Sequence, residues 1–346
     1  MGADYALMSA SLPHPAQQPP PLERAEFDAA ELVRAHPPQV LHPNKAVVYE
    51  VATSTSDPFE GRIRYARWPE TPLPPSRAVR PAPAPPELAF DVRQGIYDYE
   101  VDPEGRVEWH VNFADPHLFG MYEWALFAQD EIQVAEHPIL GSLRHALTPE
   151  GKATGPRTID AARRPTPVTV TGAQRRVAIN TRGIYGNAFG GAAASTIRAA
   201  CRVLSPPTMS NILAMAAPNG GRGAYSRAEV LYVANCAYTG FHAAAAESAR
   251  IADTDEPSSR GVLIHTGFWG CGAFGGNRTL MPMLQALAAD LAGVDIAFHA
   301  FGEAGVATGR EAVDEYRRIR DAAADTAAIV DAIVDRGFEW GMSDGN

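Results

Sequence analysis

The sequence predicts an α/β protein, with a largely parallel or mixed central sheet covered by helices on both faces and a proline-rich extension before it. Three observations lead there. From about residue 93, short β-rich runs alternate with longer helical ones. Ser226-Arg-Ala-Glu229 and Thr308-Gly-Arg-Glu311 have capping-box spacing, in which a hydroxyl and a glutamate cap one first turn reciprocally. The 346 residues are 46% hydrophobic, enough to fill a sizeable core, and at 20% charged they do not have the composition of a disordered chain.

Proline organises the first part of the chain. Residues 1–90 hold 17 of the 29 prolines, concentrated at Pro13–Pro21 and Pro72–Pro86. Such runs favour extended polyproline II and disfavour helix or inner strand. Residues 1–44 are therefore expected to be an extended tail, 45–92 an extension packing on the core, and 93–346 the folded domain. The proline runs offer a surface to an SH3-like partner, or a semi-rigid arm. Ala46–Thr53 and Gly61–Trp68 alternate enough to be short strands.

Beyond residue 93, Gly95–Val101 and Val107–Phe113 read as strands around an Asp102-Pro-Glu-Gly105 turn. Pro138–Leu147 suits a helix with proline in its first turn. Pro167–Thr171 and Arg175–Asn180 are β-rich and flank a Gly172 turn. The Ser226 capping box opens a long helix to about Ile251. Gly261–Thr266 is a strand, Arg278–Leu291 a helix and Val294–Phe301 a strand. A last helix runs from Thr308 to about Arg336.

Charge and cysteine exclude several classes. The net charge of −10 gives no global attraction to nucleic acid or to an anionic membrane. Only Lys45 and Lys152 are lysines. Cys201, Cys236 and Cys271 are an odd set with no CxxC spacing, which argues against a disulfide framework and a structural zinc site. No apolar run reaches the ~18–20 residues of a membrane helix. The expectation is a cytoplasmic protein with no cofactor and no metal.

The segment from Gly261 to Asn277 carries a strand into a loop with glycines at 267, 270, 272, 275 and 276, and then a helix capped by Asn277. Closely spaced glycines let backbone N–H groups converge on one anion, and a following helix adds positive potential. A pyrophosphate is the natural guest. The lysine of a Walker loop is missing, since Asn277-Arg278 follows the last glycine. Gly270-x-Gly272-x-x-Gly275 also matches the dinucleotide fingerprint, with Glu303 imitating its ribose-binding acid. It stands too late in the chain to begin a two-half nucleotide-binding domain.

A second dense segment, residues 111–132, places Asp130 and Glu131 after an aromatic and apolar stretch. Partial burial there raises a carboxyl pKa toward that of a general acid. Taken alone, these residues read first as a solvated helix start. His110, His117, His265 and His299 sit on or beside predicted strands, where a lone histidine is usually a packed residue. Asn180–Asn187 ends a strand and is placed by topology near the same cleft.

Together the two segments resemble the poly(ADP-ribose) glycohydrolase family, whose catalytic domain is a macrodomain, a three-layer α/β/α fold around a mixed sheet. Trp269-Gly-Cys-Gly-Ala-Phe-Gly-Gly276 matches that family's diphosphate loop at every position, and Phe113-Ala-Asp115 and Gln129-Asp-Glu131 fall at its spacing. Cys236–Phe241 and Phe301-Gly-Glu303 resemble two further signatures, so the likeness spans roughly residues 93–305.

The resemblance implies that Glu131 protonates the leaving atom at the anomeric carbon and then activates water. It implies that Asp130 holds the distal ribose hydroxyls, with Asp115, Gly120 and Gln129 beside the substrate. Gly270, Cys271, Gly272, Ala273, Phe274, Gly275 and Gly276 would cradle the diphosphate, and Tyr238 and Phe301 would pack around adenosine.

Four positions depart from the pattern. Phe119-Gly120-Met121 replaces three glycines, Asp115 replaces an asparagine, and Asp130 replaces a glutamate. Extra acid beside the distal ribose favours a cationic leaving group such as a guanidinium. The expected activity is hydrolysis of ADP-ribose from a protein or small molecule, arginine-linked mono-ADP-ribose ahead of polymer. The alternatives are a non-catalytic ADP-ribose reader and a hydrolase of a small NAD-derived metabolite.

Overall fold

In chain order the first elements are β1 (Glu23–Asp28), α1 (Ala29–Ala35), α2 (Pro43–Ala52), β2 (Arg62–Arg67), β3 (Phe90–Gln94) and β4 (Val107–Phe113). Next come α3 (Gln129–Glu136), α4 (Ile139–Leu147), β5 (Val168–Ile179), α5 (Ala188–Gly191), α6 (Ala194–Ala200) and β6 (Cys201–Met215). The chain ends with α7 (Arg227–Ala252), β7 (Val262–Gly267), α8 (Leu280–Ala292), β8 (Asp295–Ala300), α9 (Gly302–Ala322) and α10 (Thr326–Val334). The structure is a computed structural model and describes residues 19–76, 87–149, 155–252 and 261–345. Most of the two proline runs lies outside the described residues.

All eight strands form one mixed sheet in the order β1-β2-β5-β6-β4-β7-β8-β3. The β1, β2, β5 and β6 strands pair antiparallel, and β6, β4, β7, β8 and β3 pair parallel. On one face α7, α8, α9 and α10 bury the largest apolar cluster, around Trp109, Ile264, Leu284 and Phe298. On the other face α1 to α6 cover two smaller clusters, around Val170 with Leu140 and around Phe127 with Val177. This is the three-layer α/β/α architecture with a mixed sheet.

Several elements differ from expectation. Ala46–Thr53, expected as a strand, is helix α2. Pro43 occupies its first turn, where a missing N–H costs nothing, and the His42 side chain accepts the Asn44 N–H at 3.3 Å. Gly95–Val101 is not a strand; β3 lies just before it. The two runs around Gly172 are one strand, β5, with a bulge between Val170 and Ala173. Gly172 has φ +79°, and a Cβ there would lie 2.2 Å from the Arg62 carbonyl oxygen, so this position admits only glycine. Thr308 does not open a helix. It sits inside α9 and returns its hydroxyl to the Ala304 carbonyl at 3.0 Å. The long β6, with Pro206 and Pro207 at its centre, has no clear sequence signal.

The proline-rich part is woven into the domain. From the expected tail, β1 forms the edge strand of the sheet. Arg176 of β5 pins the connection after α2, donating to the carbonyls of Ala52, Pro58 and Asp57 and to the Thr55 hydroxyl.

Candidate functional site

The acid pair opens α3 at the carboxyl end of β4. Gln129 staples the two elements: its side-chain carbonyl accepts the Phe113 N–H at 2.7 Å and its amide donates to the Val111 carbonyl at 3.0 Å. Both ends of this amide serve the β4 backbone, which makes Gln129 the residue that places the two acids. Asp130 and Glu131 are 6% and 3% exposed, not a solvated helix start. Asp130 accepts the Asn112 amide at 3.0 Å, and Glu131 accepts the Ala128 N–H at 2.9 Å, closing the helix N-terminus.

Burial raises both carboxyl pKa values; nearby Asp115 adds to the rise of both, and the Glu131 charge adds to that of Asp130. The opposing cation is Lys45 of α2, which is fully buried. Its ammonium donates to the Tyr122 carbonyl at 2.9 Å and lies over the Phe127 and Phe189 rings at 5.0 and 5.7 Å. Burial pulls the Lys45 pKa down to about 8, against the pull of Glu131 and Asp130. Nothing in the acidic segment itself signals this residue. The one sequence clue is that a chain with 28 arginines keeps a lysine here. A compact ammonium fits the slot, and it can lose its proton within reach of neutral pH, which a guanidinium cannot.

Asp115 is partly exposed; it caps the His117 N–H at 2.9 Å, and its own carbonyl accepts the Thr158 hydroxyl at 2.8 Å. Phe119 stands where a glycine would be at ease. Its φ is +53°, a strained value for a bulky side chain, and its ring is fully buried beside Leu118 and Tyr122. Gly120 packs tightly on His117, and Met121 points outward, 43% exposed. Residues 180–187 do reach this cleft: the Gly186 N–H donates to the Phe127 carbonyl, and the Tyr185 hydroxyl pKa is raised by burial, with Asp344 and Glu131 adding to the rise.

The glycine loop follows β7. Trp269 is buried and anchors it, donating its indole N–H to the Met215 carbonyl at 2.9 Å. The Gly276 N–H bonds the Gly270 carbonyl at 2.8 Å and the Gly275 N–H the Gly272 carbonyl at 3.0 Å. Among the described residues the N–H groups of Gly272, Ala273 and Phe274 have no partner, so three consecutive donors remain for an anion. Arg278 lies over the Phe268 ring at 4.5 Å, and the Asn277 side chain caps α8 through the N–H groups of Thr279 and Leu280.

Gly270 holds the turn at φ +77°, where a Cβ would come 2.6 Å from that of Ala217. Gly270→Ala is expected to destabilise the protein by about 1–3 kcal/mol, read from the denaturant midpoint. Cys271 is half-buried, with its thiol pushed up to about 12 by desolvation, which suits a packing residue and not a nucleophile.

One segment here was not foreseen. Residues 339–345 run along the glycine loop. The Asn277 amide donates to the Glu339 carbonyl, the Gly341 N–H to the Gly275 carbonyl and the Asp344 N–H to the Gly272 carbonyl. The Asn187 amide then reaches the Gly345 carbonyl at 3.0 Å. The Asp344 carboxylate would lie 3.3 Å from a Cβ on Gly272, beside the three unpaired donors.

The two residues expected around adenosine are far apart in character. Phe301 stands at the rim, 59% exposed and 6.4 Å from the Tyr185 ring. Tyr238 is 4% exposed within the main core and stacks on His242; it presents no open face.

Comparison with known proteins gives one family match and several likenesses to solved structures. Residues 168–308 match the family described as poly (ADP-ribose) glycohydrolase (PARG), macro domain fold. That span holds the whole glycine loop and begins after the acid pair. Among solved structures the chain is similar to poly(ADP-ribose) glycohydrolase from Thermomonospora curvata, at 17% identity, covering 83% of this chain and 88% of that one, TM-score 0.37. It is similar to the Deinococcus radiodurans enzyme in complex with ADP-ribose, at 13% identity, covering 83% and 97%, TM-score 0.38. It is also similar to an Oceanobacillus iheyensis macrodomain, at 10% identity, covering 66% and 92%, TM-score 0.36. No curated protein matches the chain. Over residues 168–308 the chain is therefore similar to the macro domain of the poly(ADP-ribose) glycohydrolase family.

Proposed function

We propose that the protein is a glycosidase-type ADP-ribosyl hydrolase, with arginine-linked mono-ADP-ribose preferred over polymer. The observation that carries this is Glu131: a nearly buried carboxyl with its pKa raised by burial, at a helix start beside a loop with three unpaired N–H donors. The loop holds the diphosphate by its backbone, and the diphosphate keeps negative charge beside the developing oxocarbenium ion. Glu131, protonated, gives its proton to the oxygen or nitrogen leaving the anomeric carbon. As carboxylate it then takes a proton from the attacking water. Asp130, oriented by Asn112, binds the ribose hydroxyls.

The linkage preference follows from what surrounds this chemistry. Asp115, Asp130, Glu131 and Asp344 make an acidic rim with Lys45 as its buried counter-charge. A cationic acceptor side chain is favoured by such a rim, and an added phosphate is not.

The test is release of free ADP-ribose from arginine-linked, glutamate-linked and polymeric substrates, with Glu131→Gln in parallel. Release from the arginine linkage first, lost in the variant, is the expected result. Binding of ADP-ribose without release from any substrate makes the protein a reader; release from polymer at equal or higher rate overturns the preference. The Asp344 carboxylate lies beside the loop's unpaired donors and its charge repels a diphosphate, so Asp344→Ala is expected to tighten ADP-ribose binding about fivefold, measured by calorimetry.

A further inference from the structure

Away from the acid pair, a second group of ligating side chains converges on the same face of the sheet. Alternation along β4 sends Trp109 and Val111 into the α7–α8 core and turns Glu108, His110 and Asn112 toward α3. Parallel pairing then sets His110 directly beside His265 of β7. One oxygen of Glu108 and one nitrogen of each histidine lie within 4.8 Å of one another.

Both ring nitrogens of His265 are engaged, Nδ1 with His299 Nε2 at 3.1 Å and Nε2 with Glu108 Oε2 at 2.8 Å. The other Glu108 oxygen is occupied by the Asp102 N–H at 2.9 Å. His110 is 4% exposed, and neither of its ring nitrogens has a partner among the described residues. A buried imidazole left wholly unsatisfied calls for a missing partner. A cavity of about 430 Å³, lined by Glu108, His110, Thr208, Ser210 and Asn211, adjoins the group.

We propose that Glu108, His110 and His265 bind a first-row divalent transition-metal ion of the zinc(II) type, with a coordination position open to this cavity. Two imidazoles and a carboxylate suit such an ion, and harder cations prefer all-oxygen sets. His299, 3.1 Å from His265 Nδ1, orients that ring with Nε2 toward Glu108, as partners of metal-bound histidines do. A shell of radius ~2.1 Å spaces its ligand atoms about 3.4 Å apart, so His110 turns about its Cβ–Cγ bond to close the set. No hydrogen bond holds that ring, which is stacked between Tyr99 and His265 at 4.2 and 4.4 Å.

The full chain is stripped with chelator and titrated with zinc(II) by calorimetry, and bound metal is counted after gel filtration. One equivalent per chain, a rise in melting temperature and visible d–d bands with cobalt(II) are expected. His110→Phe keeps a flat ring in the stack and removes the ligand; Glu108→Gln keeps the Asp102 contact and removes the charge. Each is expected to weaken zinc binding at least tenfold, with circular dichroism verifying the fold of each. Absence of stoichiometric binding overturns the proposal, as does unchanged binding in both variants, which places the ion elsewhere. So does a nitrogen-15 spectrum in which His265 is a doubly protonated imidazolium that zinc does not alter.

Discussion

Glu131→Gln loses turnover by on the order of 10²–10⁴-fold, the range a positioned general acid contributes, while ADP-ribose binding changes by less than about tenfold. The substitution keeps the shape and one oxygen, so the Ala128 N–H retains its acceptor and α3 its first turn. Stability is retained as well, and the sign follows from burial. A carboxyl whose folded pKa lies above its unfolded value contributes most below the unfolded value, and that contribution falls away as pH rises through the folded pKa. At pH 7 a buried Glu131 therefore weakens the fold, and a neutral amide relieves it. A variant that is inactive, folded and no less stable assigns the loss to chemistry. A variant that turns over at more than a tenth of the wild-type rate removes Glu131 from the role of acid.

Lys45→Met moves the pH profile. Removing a cation near a buried carboxylate raises that carboxyl's pKa by about one unit or more. The Glu131 proton is then kept to higher pH, and the base form needed to activate water appears later. The acid limb of kcat against pH is expected to shift alkaline by about one unit. In the wild-type protein Lys45 itself loses its proton near pH 8, so a second inflection there is expected and should vanish in the variant.

The stability sign is opposite to that of a lysine held by a salt bridge. Because burial depresses this pKa, its cost to folding is complete below about pH 8 and fades as pH rises toward 10.5. That relief offsets the donor lost from the Tyr122 carbonyl, whose cost is about 1–3 kcal/mol. The variant should therefore stay within about 1 kcal/mol of wild type at pH 7. A loss of several kcal/mol with an unmoved pH profile makes Lys45 a packing residue only.

Together the two substitutions show how the proline-rich part serves the site. Lys45 and its helix come from what the sequence suggests is an appendage. Yet they form the floor beneath the acid pair, with Asn44 donating to the carbonyls of Phe189 and Ala192.

Much of this was legible in the chain. Helix and strand periodicity in β4, α4, α7, β7, α8 and β8 is local, written in which neighbours are apolar, and needs no partner to be read. The glycine loop and Gln129-Asp130-Glu131 are local too, because each does its work with residues adjacent in sequence. What failed was whatever depends on the other side of a contact. Ala46–Thr53 alternates like a strand, but its faces are set by Phe127 and Phe189, so it is helix. Gly172 looks like a turn and is a bulge, because β2 approaches it from outside.

The sequence by itself determined the α/β class, the glycine loop and the adjacent carboxylates Asp130 and Glu131, since dihedral preference and short-range spacing carry them. Only the tertiary structure decided that Lys45 meets Glu131, that Asp344 meets Gly272, and that Glu108 and His110 meet His265. Those groups are 86, 72 and more than 150 positions apart. Their meeting rests on strand order and burial, which no local stretch of sequence encodes.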